Sequence, residues 1–194
     1  MGGLPVPMSS VAEFPHLRTD RMSLRAFRPD DARAFHALMQ IPEVTRLSNW
    51  PDAPTVTECE NDVARMSEAF SKGTGCSWVV EDRGTGCFIG AIRYNYFIRD
   101  WFCGGIGYEL HPDWWGQGRM TEALRTVVGC GHDLFGLNRM EAWTLPGNLA
   151  SARALEKCGF RFEGVLRQRA WFKGRFHDFH WFGRVAADPF TETP

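Results

Sequence analysis

The chain has no excess of either charge. In 194 residues, 22 Lys and Arg stand against 23 Asp and Glu, for a formal net charge of −1. That balance excludes a broad basic field for nucleic acid and gives no strong pull toward polyamines or acidic partners. No apolar run approaches the ~20 residues needed to cross a bilayer, so no membrane association is expected. The six cysteines, at 59, 76, 87, 103, 130 and 158, form no C-x-x-C pair. No signal peptide is recognisable ahead of them, so the expectation is reduced, mostly buried thiols in a cytoplasmic protein rather than a disulfide framework. His177 and His180 bracket Asp178, but no third ligand stands nearby, so no metal site is expected. Internal repeats and low-complexity tracts are absent.

What is present fits one domain. The chain is 44% hydrophobic and 23% charged, ordinary for a globular protein and long enough for a workable core. Residues 1–16 hold three prolines, two glycines and two serines and are expected to form a flexible arm, leaving 17–194 as a single domain. Arg21 to Phe27 alternates, which predicts a first strand at a sheet edge. Asp30 or Asp31 can cap an expected helix through Phe35, Leu38 and Met39. Thr57 with Glu60 reads as a capping box for a helix burying Val63, Met66 and Phe70. The apolar runs Cys76 to Asp82 and Cys87 to Phe97, joined by Arg83-Gly84-Thr85-Gly86, predict a hairpin. Asp100 to Gly105 reads as a turn, Ile106 to Leu110 and Met140 to Leu145 as strands. Asn148 opens a short helix through Ala152 and Leu155, which Gly159 ends. Phe160 to Val165 and Phe179 to Val185 are the last strands. Strands that pair first by hairpins and then through a β-α-β unit predict an α/β chain with a mixed, mostly antiparallel sheet and flanking helices.

The stretch from His111 to Leu124 organises the rest. It ends a strand, turns through Trp115-Gly116-Gln117-Gly118, and starts a helix whose stripe is Met120, Ala123, Leu124, Val127 and Val128. Gly116 and Gly118 let the backbone turn sharply and let a ligand lie directly on the amides. The first N–H groups of the helix have no partners, and with the helix dipole they make an anion site suited to phosphate. A Gly-rich turn without a ligand would look the same in this stretch alone. Two other phosphate motifs are excluded: there is no Gly-Lys-Ser/Thr, and Thr121 stands where a dinucleotide fingerprint needs its third glycine.

In combination with segments nearer the C-terminus, Trp115-Gly116-Gln117-Gly118-Arg119-Met120 resembles the Q/R-x-x-G-x-G/A loop of the GNAT N-acetyltransferases, in their RimJ/RimL-like branch. The likeness continues through Asn138-Arg139-Met140-Glu141-Ala142, Asn148-Leu149-Ala150-Ser151, Glu156-Lys157-Cys158-Gly159-Phe160 and Glu163-Gly164, and covers about residues 17 to 186. Met120 departs from it, since the family prefers a small residue there. The resemblance implies the GNAT fold, acetyl-CoA as cosubstrate and a primary amine as acceptor.

It also implies roles. The turn amides of Gln117, Gly118, Arg119 and Met120 would take the pyrophosphate, and Gly116 in the same turn would also bind the cofactor. The pantetheine arm would pair with the strand ending at Leu110, provided the neighbouring strand splays away, and a free N–H near Leu110 would polarise the thioester carbonyl. Asn148 would contact the pantetheine, and Ser151 would donate to the departing sulfur; both also read simply as a helix cap and a first-turn residue. Many GNATs use a tyrosine on this helix, but Leu155 occupies that slot. The branch carries a base Glu about twenty residues after the Ser, where Ala170 falls. Glu109 is then the remaining candidate base, with Asp178, or His111 through water, behind it. Arg46 and Trp50 are candidates for the acceptor side. Three readings compete: an N-acetyltransferase acting on a protein or peptide N-terminus or on a small-molecule amine, a CoA-binding protein without transfer, and an unrelated phosphate-binding domain. A homodimer through the aromatic segment Trp171 to Trp181 is a further expectation.

Overall fold

A computed structural model of the protein describes residues 11–190. The first elements are β1 (Leu17–Arg18), β2 (Met22–Ala26), α1 (Asp31–Met39), α2 (Pro42–Thr45) and α3 (Val56–Glu68). Two long strands follow, β3 (Cys76–Asp82) and β4 (Phe88–Ile98), then β5 (Cys103–Leu110), α4 (Arg119–Asp133) and β6 (Arg139–Thr144). After these come α5 (Leu149–Lys157), β7 (Arg161–Phe172) and β8 (Arg175–Val185). Among the described residues, one eight-stranded sheet runs in the order β1-β2-β3-β4-β5-β6-β8-β7. Every pairing is antiparallel except β5 with β6. The mixed sheet with flanking helices is the architecture predicted from the sequence.

The period-2 alternation of the central strands sorts their side chains onto two faces. Trp78, Ile92, Tyr94, Ile106 and Leu110 pack with Leu124, Val127 and Val128 of α4 and Leu155 of α5 in the larger core. Val79 and Ala91 point the other way and pack with Phe35, Leu38, Val63 and Met66 of α1 and α3. Helix α4 lies close on the sheet because Gly131 has no side chain: a Cβ there would collide with the Tyr94 hydroxyl and Met140. That hydroxyl donates to the carbonyl of Val127, 2.9 Å away, and pins helix to strand.

The parallel pair is short. Cys103, Gly104 and Gly105 pair with Arg139, Met140 and Glu141, and pairing stops there although both strands continue. From Ile106 onward β5 and β6 diverge, and a cleft of about 890 Å³ opens between them. The condition placed on the strand ending at Leu110 is therefore met.

Several local expectations shift. The capping box lies two residues earlier: Thr55 accepts from the Glu58 N–H and Glu58 from that of Thr55, because α3 begins at Val56 and not beyond Thr57. Strand β2 is not at the edge, since the two-residue β1 pairs outside it. The span 100–105 is only partly a turn: a single 3₁₀ turn, Arg99–Trp101, precedes a β5 that starts at Cys103. Strands β7 and β8 are about twice the predicted length and form a hairpin projecting past the core, which leaves Trp171 and Phe176 exposed. Periodicity could not show this, because β7 is exposed along most of its length and bulged between Leu166 and Ala170. Within the expected arm, Phe14 packs edge-on against Phe70 and Trp78, and the Trp78 indole donates to the carbonyl of Pro15 at 2.7 Å. Residues 14–16 thus belong to the packed body, and residues 1–10 of that arm lie outside the described residues.

Candidate active site

The cleft draws its walls from several elements. They include the α2 loop with Arg46 and Trp50, β4 at Arg93, β5 from Ile106 to Leu110, the turn into α4, β6 at Ala142 and Trp143, and α5 with the residues ahead of it. Leu110, Gly116, Gly118, Arg119, Met120, Asn148, Ser151 and Glu109 all line it, as do Arg46 and Trp50. Gln117, His111, Ala170 and Asp178 do not. Gln117 turns its side-chain amide back onto the Asp113 carbonyl, and Asp178 accepts from the Gln168 N–H far along the hairpin.

At one end the chain turns into α4. Gly118 is the residue before the helix and sits at φ +73°, a conformation that L side chains rarely adopt. It offers no side-chain cap, and the first intrahelical bond runs from the Glu122 N–H to the Gly118 carbonyl. The amides of Arg119, Met120 and Thr121 therefore have no intrahelical acceptor, at the positive end of a 15-residue helix. The Met120 side chain turns down against the core, so the departure from a small residue does not block the amide. The loop is braced from outside. Arg119 pairs with Asp82 at 2.6 Å and lies over the Trp114 ring, 4.2 Å from its centroid. Arg21 reaches the Gln117 carbonyl at 2.9 Å and the Glu122 carboxylate at 2.6 Å. These braces join residues far apart in the chain, Arg21 and Glu122 by 101 positions, and left no signal in the sequence.

Along β5 the ladder alternates. The His111 N–H donates to Ile89 across β4, so the N–H groups of Leu110 and Tyr108 face the opposite side, where β6 has moved away. The same alternation turns the Tyr108 side chain toward α5 and that of Glu109 toward α1 and α3.

Glu109 is 7% exposed and Arg93, from β4, is 8% exposed. The guanidinium meets the carboxylate through two bonds, Nη1 to Oε2 at 2.5 Å and Nη2 to Oε1 at 2.7 Å. The Trp50 indole adds a third, to Oε1, at 2.5 Å. Burial alone would lower the Arg93 pKa, but the adjoining Glu109 outweighs it and holds it above the ordinary arginine value. Of the roughly four acceptor positions on a carboxylate, three are taken, and the remaining one is on Oε2. Arg93 was not singled out in the sequence. Its partnership follows from the β4–β5 register, which sets Arg93 beside Gly107, one step along that face from Glu109.

On the opposite wall, Asn148 accepts from the Ser151 N–H at 3.2 Å, the helix cap expected of it, and its amide donates to Leu47 at 3.4 Å. Ser151 Oγ lies 2.8 Å from the Tyr108 hydroxyl, which is also 3.2 Å from the Ser151 carbonyl oxygen. Leu155, in the slot where the resemblance implies a tyrosine in many relatives, is fully buried. A phenol nevertheless reaches Ser151, from the strand instead of the helix.

The chain matches the family model described as an acetyltransferase (GNAT) domain over residues 21–161. It is similar to the N-acetyltransferase YoaA of Bacillus subtilis, 33% identical over 165 residues, covering 85% of this chain and 93% of that one. Among solved structures it is similar to a GNAT-family acetyltransferase from Bacillus anthracis, with a TM-score of 0.78 and 20% identity over 88% of this chain and 98% of that chain. RimL, a ribosomal L7/L12 α-N-protein acetyltransferase in complex with coenzyme A, shares the fold at a TM-score of 0.80 and 19% identity, covering 88% and 98%. With the family model matching most of its length and a curated relative matching nearly all of it, this chain belongs to the GNAT acetyltransferases as an acetyl-CoA-dependent N-acetyltransferase.

Proposed function

We propose that the enzyme acetylates a low-pKa amine, the α-amine of a protein or peptide N-terminus, by direct attack on the thioester. In this reading the pyrophosphate of acetyl-CoA rests on the amides of Arg119, Met120 and Thr121, and the pantetheine arm runs along the open side of β5. The Leu110 N–H receives the oxyanion. Asn148 closes the arm's channel, and the Ser151 hydroxyl donates to the sulfur as the C–S bond breaks. The acceptor comes from the α1–α3 face, past Arg46 and Trp50, and meets the thioester where the strands part. Glu109 Oε2 takes the proton that the amine sheds.

The observation that carries this reading is the state of Glu109. It is the carboxylate on the inner wall of the cleft, and three of its acceptor positions are already engaged. Such a group removes a proton from a lightly basic amine more readily than it deprotonates a strongly basic one. An α-amine has a reference pKa of about 7.7–8.0, a lysine side chain about 10.4. The gap of about 2.5 units is roughly 3.4 kcal/mol of deprotonation that a strong base would have to supply. RimL, which shares the fold, is an α-N-protein acetyltransferase, and that likeness supports the same class of acceptor.

The test is CoA release from acetyl-CoA at pH 7 with four acceptors: a peptide with a free N-terminus, the same peptide blocked at its N-terminus but carrying lysine, a free amino acid, and spermidine. The free N-terminus is expected to react fastest. Faster turnover of the blocked lysine peptide or of spermidine overturns the preference, and faster turnover of the amino acid transfers it to small-molecule α-amines.

A further inference from the structure

We propose that Tyr108 acts through Ser151: its phenol donates to Ser151 Oγ and so leaves the serine proton aimed at the departing sulfur. The inference rests on the placement of Ser151 at the sulfur argued above. Tyr108 is then a positioning residue, since it works on the thiolate through another side chain.

The geometry offers the phenol two acceptors, Ser151 Oγ at 2.8 Å and the Ser151 carbonyl at 3.2 Å. If the phenol donates to the carbonyl, Oη can accept from the serine hydroxyl, whose proton is then turned away from the cleft. If the phenol donates to Oγ, the serine proton is free to point at a ligand. A thiolate forming beside Oγ selects the second arrangement, because the anion draws the serine proton and the serine oxygen becomes a better acceptor for the phenol. Burial pushes the Tyr108 phenol above its ordinary pKa, and its bond to Ser151 offsets this only in part. The phenol thus stays a donor and never places a second anion beside the sulfur.

The step balances without moving either hydroxyl proton. The amine nitrogen bonds to the acyl carbon, and the C–S bond breaks with its electron pair going to sulfur. The proton lost from nitrogen leaves through Glu109 or water. Ser151 supplies a hydrogen bond to the thiolate, which exists only late in the reaction, and Tyr108 orients that bond, so the effect of both falls on kcat more than on KM.

The test reads the thiolate directly and needs no acceptor. CoA is bound to the enzyme, and its thiol is titrated by the ultraviolet absorbance of the thiolate in wild type, Tyr108→Phe, Ser151→Ala and the double variant. A free thiol titrates near about 8.5. The bound thiol is expected below that value in wild type. It should rise by about one pH unit in Tyr108→Phe, a tenfold loss of thiolate, and by at least as much in Ser151→Ala. The double variant should match Ser151→Ala, since a relay has nothing to act through once Oγ is gone. Calorimetric CoA affinity within about twofold of wild type in Tyr108→Phe would show that the ring still packs. A wild-type thiol pKa in Tyr108→Phe, with Ser151→Ala shifted, overturns the relay but leaves the Ser151 placement standing. Shifts that add in the double variant also overturn it. No shift in Ser151→Ala removes Ser151 from the sulfur, and the relay with it. A second variant carries 3-fluorotyrosine at position 108. Its more acidic phenol should lower the bound thiol pKa further, and an unchanged value again counts against the relay.

Discussion

At the scale of single residues, the Glu109–Arg93 pair carries two jobs that a mutation would mix. The carboxylate faces the cleft, and it also neutralises a guanidinium that is 8% exposed. Removing one partner of a buried pair leaves an uncompensated charge, at a cost of about 3–5 kcal/mol. Glu109→Gln keeps one acceptor for Arg93, so the lower end, about 3 kcal/mol, is expected. For a domain of this size that lowers Tm by roughly 6–12 °C, measurable by thermal denaturation. The turnover of the same variant, read well below its Tm, isolates the other job: kcat should fall, most at low pH where free amine is scarce. Wild-type kcat there would remove Glu109 as proton acceptor, whatever the Tm shows. Glu109 itself could be named because the resemblance implies a carboxylate on the central strand, and Glu109 is the one that stands there. Its guanidinium partner could not, since nothing local marks which of many arginines lies across the ladder.

At the scale of elements, α4 is the longest helix packed on the sheet, and in the proposed reading its start holds the pyrophosphate. Its apolar stripe was readable from residue spacing, and its start from the two glycines. The left-handed conformation at Gly118 ties these together, because the amides turn toward the cleft only if the chain enters the helix that way. Gly118→Asp sets a β-carbon at φ +73° and a carboxylate where a pyrophosphate would lie. Wild type at a hundred times its dissociation constant of CoA should gain about 2.7 kcal/mol, seen as a rise in Tm. The variant should show little or none of that rise. An undiminished shift would mean that CoA is held elsewhere. The β7–β8 hairpin shows the opposite case. Its outer half buries little, so alternation is weak there, and only the register with β6 and the bulge opposite Asp178 define it.

At the scale of the whole molecule, the six cysteines report how completely the chain is packed. All are free, and only Cys87, in the turn between β3 and β4, is exposed. Burial pushes the Cys130 and Cys158 thiols up to about 12, and Cys59 and Cys103 to about 11. A thiolate-selective reagent at pH 8 should therefore titrate one thiol rapidly in the native protein and six after unfolding. Cys87→Ser should abolish the rapid phase. Two or more fast thiols would mean that the cores open on the timescale of the reaction. Period-2 and period-3.6 patterning and glycine and proline placement were enough to establish a mixed α/β fold, the glycine turn and most helix and strand positions. These are consequences of near neighbours, which a sequence displays. The parting of β5 from β6, the turning of Tyr108 onto Ser151, the Arg93 clasp on Glu109 and the bracing of the loop by Arg21 and Asp82 were decided by tertiary structure. The side-chain contacts among them join residues between 16 and 101 positions apart, and such contacts depend on strand register and sheet order, which no local pattern encodes.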